Sequence, residues 1–249
     1  HVTLLQGQDV ELLAEKVETE EQYELCKTLG FQYYQGYFFC RPTFIDGKAL
    51  PDNNLAILRI LNRLQDPNVT LDELELLIKE DVSLTYKLLR LLNSAAISIP
   101  KKIDSIHQGL VFLGLNAIKS WATVIAFTGL EPKTNALMTA SLIRAKMSSE
   151  LAFLYDCNKD TAFLSGLFSL LDVILNQPMI EILDSLPLDS EIRDALLLKT
   201  DTPLGQLLMF VVNYEQHHFD DIPANISISE LNRAYLAATE WVSLTEQNL

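Results

Sequence analysis

The sequence predicts a mainly α-helical protein, a multi-helix bundle in two sub-bundles preceded by a short strand–helix–strand segment. Three observations predict it. Apolar residues recur at helical spacing from residue 54 onward. Capping residues stand ahead of those runs, as where Thr70 and Glu73 take capping-box spacing before LELLIKE. Only 9 Gly and 9 Pro punctuate 249 residues, which suits long helices better than a turn-rich β fold.

VELLAEKV (10–17) reads as a buried strand, and TEEQYELCKTLG (19–30) as a helix capped by Thr19, with Gln22 completing a capping box and Gly30 stopping it. The aromatic-rich FQYYQGYFF (31–39) favours a second strand, so the order fits a parallel βαβ unit. Two strands cannot make a stable parallel sheet alone, so this segment is expected to be the end of something larger. Residues 43–53, TFIDGKALPDN, read as a linker.

In the bundle, Leu55, Leu58, Leu61 and Leu64 are expected on one helix face. Asp81 or Ser83 can cap SLTYKLLRLLNSA, which stops before Pro100. Ser105 opens a helix to Leu113, Gly114 breaks it, and Asn116 can cap AIKSWATVIAF. The second half holds a long helix from Thr134 to Tyr155, a helix over TAFLSGLFSLLDVILN, a short one started by Pro178 and another capped by Asp189. LGQLLMFVVNYEQHH follows, and a last helix runs from Ser229.

Composition excludes several function classes. Hydrophobic residues at 49% against 21% charged describe a well-cored chain, not a disordered one. The net charge of -14, without a Lys/Arg-rich run, repels phosphate backbones, so nucleic acid is not an expected partner. The helix pair 70–79 and 83–95 can be drawn as a helix-turn-helix bearing Lys87 and Arg90, but Leu84, Leu88, Leu91 and Leu92 are explained by packing alone. Cys26, Cys40 and Cys157 lack CxxC spacing and read as reduced thiols. Asn116 and Lys119 interrupt the most apolar stretch, 109–130, so no membrane span is expected. The opening HVTLLQGQDVELL lacks signal-peptide features, and a cytoplasmic location is the expectation.

AEKVET (14–19) and QGYFFCRP (35–42) resemble the C-terminal end of an EAL domain, the cyclic-di-GMP phosphodiesterase barrel, in its last two strands. The family often has Gly where Lys16 stands. The resemblance implies that Glu15, Glu18 and Gln35 occupy positions that order or bind near the nucleotide in complete EAL domains. The family's EAL-signature glutamate, other metal ligands and active-site lysine lie upstream of the matched strings. A two-metal hydrolase of this type needs those ligands to activate water, so residues 1–42 cannot do the chemistry alone.

LIKEDVSLTYKLLRLLNSA, IDSIHQGLVFLGLNAIKSWA and AFLSGLFSLLD resemble an HDOD domain, which assigns residues 54–249 to that helical domain behind a 1–42 EAL remnant. HDOD folds are related to HD-superfamily phosphohydrolases, whose metal is held by a His on one helix and a His-Asp pair on the next. The resemblance puts Ala140 at the first position, and Ser169 and Leu170 at the pair. Alanine and leucine cannot ligate, and a neutral serine is a poor divalent ligand, so no metal or other cofactor is expected.

Other candidates read as structural. His217 and His218 lie near a helix end with Asp220 and Asp221, where adjacent side chains point about 100° apart. Asp172 reads as a helix carboxylate paired with a base, His107 as a capping or packing residue, and Trp121 and Trp241 as packing anchors. Acidic neighbours should raise the Cys157 thiol. No GxSxG, P-loop, GxGxxG or HExxH string occurs. The expected function is therefore a non-catalytic signalling module that contacts a protein partner or its own EAL domain. Exposed strands in 1–42 make a homodimer an expectation. The alternatives are a piece of an active cyclic-di-GMP phosphodiesterase, or a sensor bundle with a small-molecule pocket where the metal once sat.

Overall fold

The computed structural model describes residues 11–17, 19–34, 36, 52–94, 97, 102–130, 135–216 and 227–247. The chain divides into two compact units, His1–Thr43 and Phe44–Leu249.

In the first unit, β1 (Leu13–Ala14) pairs in parallel with β2 (Tyr33–Tyr34) across α1 (Glu20–Thr28). This is the expected βαβ order, with strands shorter than the apolar runs suggested. Lys16 explains the early end of β1, because its φ of 56° takes the chain out of the extended region. An L-residue there costs about 1–2 kcal/mol, which gives a physical reason for glycine at that position in EAL domains. The Thr19–Gln22 capping box forms in both directions, and Gly30 leaves the helix at φ 82°. Tyr23 of α1 packs edge-on against Tyr34 of β2 at 4.9 Å. At Gly36 a Cβ would stand 2.2 Å from both N and O of Val17, so only glycine fits against that backbone.

The second unit begins with α2 (Asp52–Gln65), α3 (Leu71–Glu80), α4 (Val82–Leu92), α5 (Ile106–Leu113) and α6 (Leu115–Phe127). The interval expected as a linker lies outside the described residues through position 51, and its last two residues already belong to α2. There Asn53 donates to the Gly129 carbonyl at 3.3 Å and Asn54 is buried, so residues that look like turn formers anchor a helix start. Leu58, Leu61 and Leu64 are buried, but Leu55 is exposed. Nine residues at 100° each put Leu55 half a turn from Leu64, and Ile57 takes the face instead.

The Thr70–Glu73 capping box is present, and Asp81 rather than Ser83 caps α4 through the Leu84 amide. All four leucines named on α4 are buried, and Arg90 donates to the Gln247 carbonyl at 2.9 Å. Ser105 caps α5. Gly114, at φ 83°, is itself the N-cap of α6, so Asn116 falls inside the first turn and does not cap. A run of buried residues from Ala122 to Phe127 makes α6 the centre of the first sub-bundle.

The second sub-bundle holds α7 (Asn135–Leu151) with a 3-10 turn to Tyr155, α8 (Lys159–Phe168), α9 (Leu171–Leu175), α10 (Met179–Asp184), α11 (Ser190–Leu196), α12 (Pro203–Glu215) and α13 (Ile228–Glu246). The string expected as one helix over 161–176 is two, α8 and α9. The Ser169 hydroxyl donates back to the Gly166 carbonyl at 2.7 Å, ending α8 by competing for a helix acceptor. Pro178 starts α10 as expected, whereas Asp189 sits at the N-cap of α11 without a capping bond. A Ser227–Glu230 capping box opens α13.

Two ring contacts tie the sub-bundles into one core, Phe127 on Phe168 at 6.0 Å and Trp121 on Trp241 at 5.6 Å, and within the second sub-bundle Phe163 stands edge-on to Trp241 at 5.9 Å. Both tryptophans are packing anchors. Among the described residues no helix is long and apolar enough to cross a membrane.

Candidate functional site

The positions that the resemblance assigns to a metal lie on α7 and at the α8–α9 break. Gly166 makes their approach possible. A Cβ there would stand 2.5 Å from the Arg144 carbonyl and 2.7 Å from the Ala145 Cα, so α8 reaches the α7 backbone only because position 166 has no side chain. Ala140 is half-buried, Ser169 is the residue after α8, and Leu170 is buried.

The residue that organises this place is Arg144, one turn beyond Ala140 and only 4% exposed. Its Nε donates to Glu215 Oε2 on α12 at 2.5 Å, and its Nη1 donates to Ser169 Oγ at 3.2 Å. One guanidinium therefore ties α7, the α8–α9 break and the end of α12 together. Asp172 lies in the first turn of α9, not on the Ser169 helix as expected, and its carboxylate accepts from the Val173 amide at 2.9 Å. Burial holds the Asp172 carboxyl above the ordinary carboxylate range, against the opposing pull of backbone amides and the Arg144 charge.

A divalent cation does not fit this set. Ala140 and Leu170 offer no donor atom, Ser169 offers a neutral hydroxyl, and a fixed guanidinium already supplies the positive charge. Among the described residues no group of three His, Cys, Asp or Glu side chains is arranged to hold a metal ion. Sequence reasoning named Ala140, Ser169 and Leu170 but missed Arg144 and Glu215. The available signal was an arginine within the small and apolar stretch MTASLIRAKM; its partner lies 71 positions away and has no local signature.

The other named residues fall elsewhere. Glu15 is exposed just after β1, while Glu18, Gln35, His217, His218 and the adjoining Asp220 and Asp221 lie outside the described residues. His107 is exposed and places Nδ1 2.9 Å from Glu75 Oε2, a hydrogen-bonding contact on the α3–α5 surface. The Cys157 thiol is pushed up first by burial, then by Glu191 and Asp156.

A cavity of about 300 Å³ opens between α2, α6, α8 and α11. Its lining includes none of Ala140, Arg144, Ser169 or Leu170, so it lies toward the opposite end of α8 from those positions. Gln65 donates to Thr123 Oγ1 at 2.9 Å along its wall, and the Thr123 hydroxyl donates to the Lys119 carbonyl.

Comparison with known proteins matches this architecture. Residues 50–185 match the HDOD domain family and residues 1–42 the EAL domain family. The uncharacterized protein YuxH of Bacillus subtilis is 34% identical over 237 residues, covering 92% of this chain and 58% of YuxH. The cyclic di-GMP phosphodiesterase CdgJ of Vibrio cholerae is 28% identical over 246 residues, covering 96% of this chain and 57% of CdgJ. The chain thus spans less than three-fifths of the length of each of these relatives.

Two crystal structures share the fold. An HDOD domain protein of unknown function from Geobacter sulfurreducens has a TM-score of 0.53 at 19% identity, covering 78% of this chain and 84% of its own. A protein of Shewanella amazonensis SB2B, provisionally named a metal-dependent phosphohydrolase, has a TM-score of 0.53 at 16% identity, covering 80% and 93%. With more than half of its residues matched to one family and the bundle in place, the chain belongs to the HDOD domain family.

Proposed function

We propose that this chain is a non-catalytic regulatory module of an EAL-HDOD signalling protein, working through contacts with its own EAL domain or a protein partner. The observation that carries this reading is the buried Arg144 guanidinium bonded to Ser169 and Glu215 where metal-dependent HD relatives would place ligands. A site held by an arginine can transmit position but offers no ligand set for a metal ion that would activate water.

The test uses the intact parent protein, with and without residues 54–249, compared by size-exclusion, pull-down and phosphodiesterase rate. Loss of the bundle should change self-association, partner capture or rate. If all three stay unchanged, the regulatory reading fails. The isolated chain, incubated with Mn²⁺ and cyclic-di-GMP, should release no product.

The similarity to CdgJ favours a compatible second reading, that the parent hydrolyses cyclic-di-GMP through an EAL domain encoded upstream of His1. An upstream sequence with the signature glutamate, carboxylate ligands and lysine supports it, and a sequence lacking them makes the parent a scaffold.

A further inference from the structure

The cavity between α2, α6, α8 and α11 carries charges of both signs that close no ion pair with each other. Lys119 of α6 lines it half-buried, and burial pulls its ammonium below the ordinary lysine range even though Asp189 and Asp66 act on it electrostatically. Among the described residues the Lys119 ammonium closes no ion pair and makes no hydrogen bond. Asp160 and Asp189 stand exposed on the rim of the same space, their carboxylates likewise make neither among those residues, and Asp189 leaves its own helix uncapped.

Opposite charges that share a concavity without meeting leave a gap that a molecule of complementary charge can bridge. Phe163, Leu164 and Ile192 supply an apolar side to the same space. At about 300 Å³ the cavity stands at the lower end of the ~300–1,000 Å³ range of ligand sites, too small for a cyclic dinucleotide.

We propose that this cavity binds a small zwitterion of amino-acid size, with its carboxylate on Lys119, its ammonium toward Asp160 and Asp189, and an aliphatic side chain on the Phe163–Ile192 wall. The lining comes from both sub-bundles, so occupancy would fix the distance between α2–α6 and α8–α11. That gives the proposed regulatory module a chemical input, although binding itself is read on this chain alone and does not depend on the parent's behaviour.

The experiment is calorimetry and thermal melting of the whole chain with a panel of free amino acids, each beside the carboxylic acid that lacks its amine. At least one amino acid should bind and raise the melting temperature. Its amine-free counterpart should bind at least about tenfold more weakly, as loss of a charged hydrogen bond requires. Lys119→Met and Asp189→Asn should each weaken binding to a similar degree. No binding across the panel overturns the proposal, as does equal binding of the amine-free acid or undiminished binding by Lys119→Met. The amine-free arm uses the unmodified chain, so the test stands even if a variant fails to fold.

Discussion

Asp172 shows how a single half-buried carboxylate ties stability to pH. Its folded-state affinity for protons is raised above the unfolded value of 3.8, chiefly by burial. Between 3.8 and that raised value the native state binds more protons than the unfolded chain, so stability falls as pH rises through the window. The cost of ionising it is absent below 3.8 and fully present above the folded value. Asp172→Asn keeps an acceptor for the Val173 amide and removes the charge. It should therefore raise the melting temperature at neutral pH, with the gain vanishing in melts below pH 3.8. A gain that persists at low pH would show that the charge is not the cause. At this scale the sequence shows directly that Ala140 and Leu170 carry no donor atom for a metal. The role of Arg144 was not legible, because an arginine on a helix is ordinarily solvated and only tertiary packing buries it.

Gly166 governs an element contact. The shortest contacts of an added Cβ are to the backbone of Arg144 and Ala145, which cannot rotate away. Gly166→Ala should therefore part α7 and α8 and cost about 1–3 kcal/mol, read as a melting temperature lower by several degrees. An unchanged melt would mean that the two helices slide freely. Caps were the elements' most legible feature, with Thr19, Thr70 and Ser105 all placed correctly, since a cap is a local bond between near neighbours. The break after Phe168 was not, because the Ser169 hydroxyl that donates back to its own helix is also held by the guanidinium of Arg144, a partner 25 positions away.

The whole molecule comprises two compact units, and the larger carries its own aromatic and aliphatic core. A chain beginning at Phe44 should fold, retain helical circular dichroism and melt within a few degrees of the full length. Aggregation or early melting of that chain would show that the first unit supports the second. The bundle was legible because its periodicity runs through nearly every helix, whereas the cavity was not, since its walls come from segments more than 100 residues apart. The central arginine also has a consequence for the protein's life in a cell. A guanidinium is installed by the ribosome along with everything else in the chain. The clasp joining α7, the α8–α9 break and α12 is complete once the polypeptide folds, and neither chelation nor scarcity of trace elements can open it.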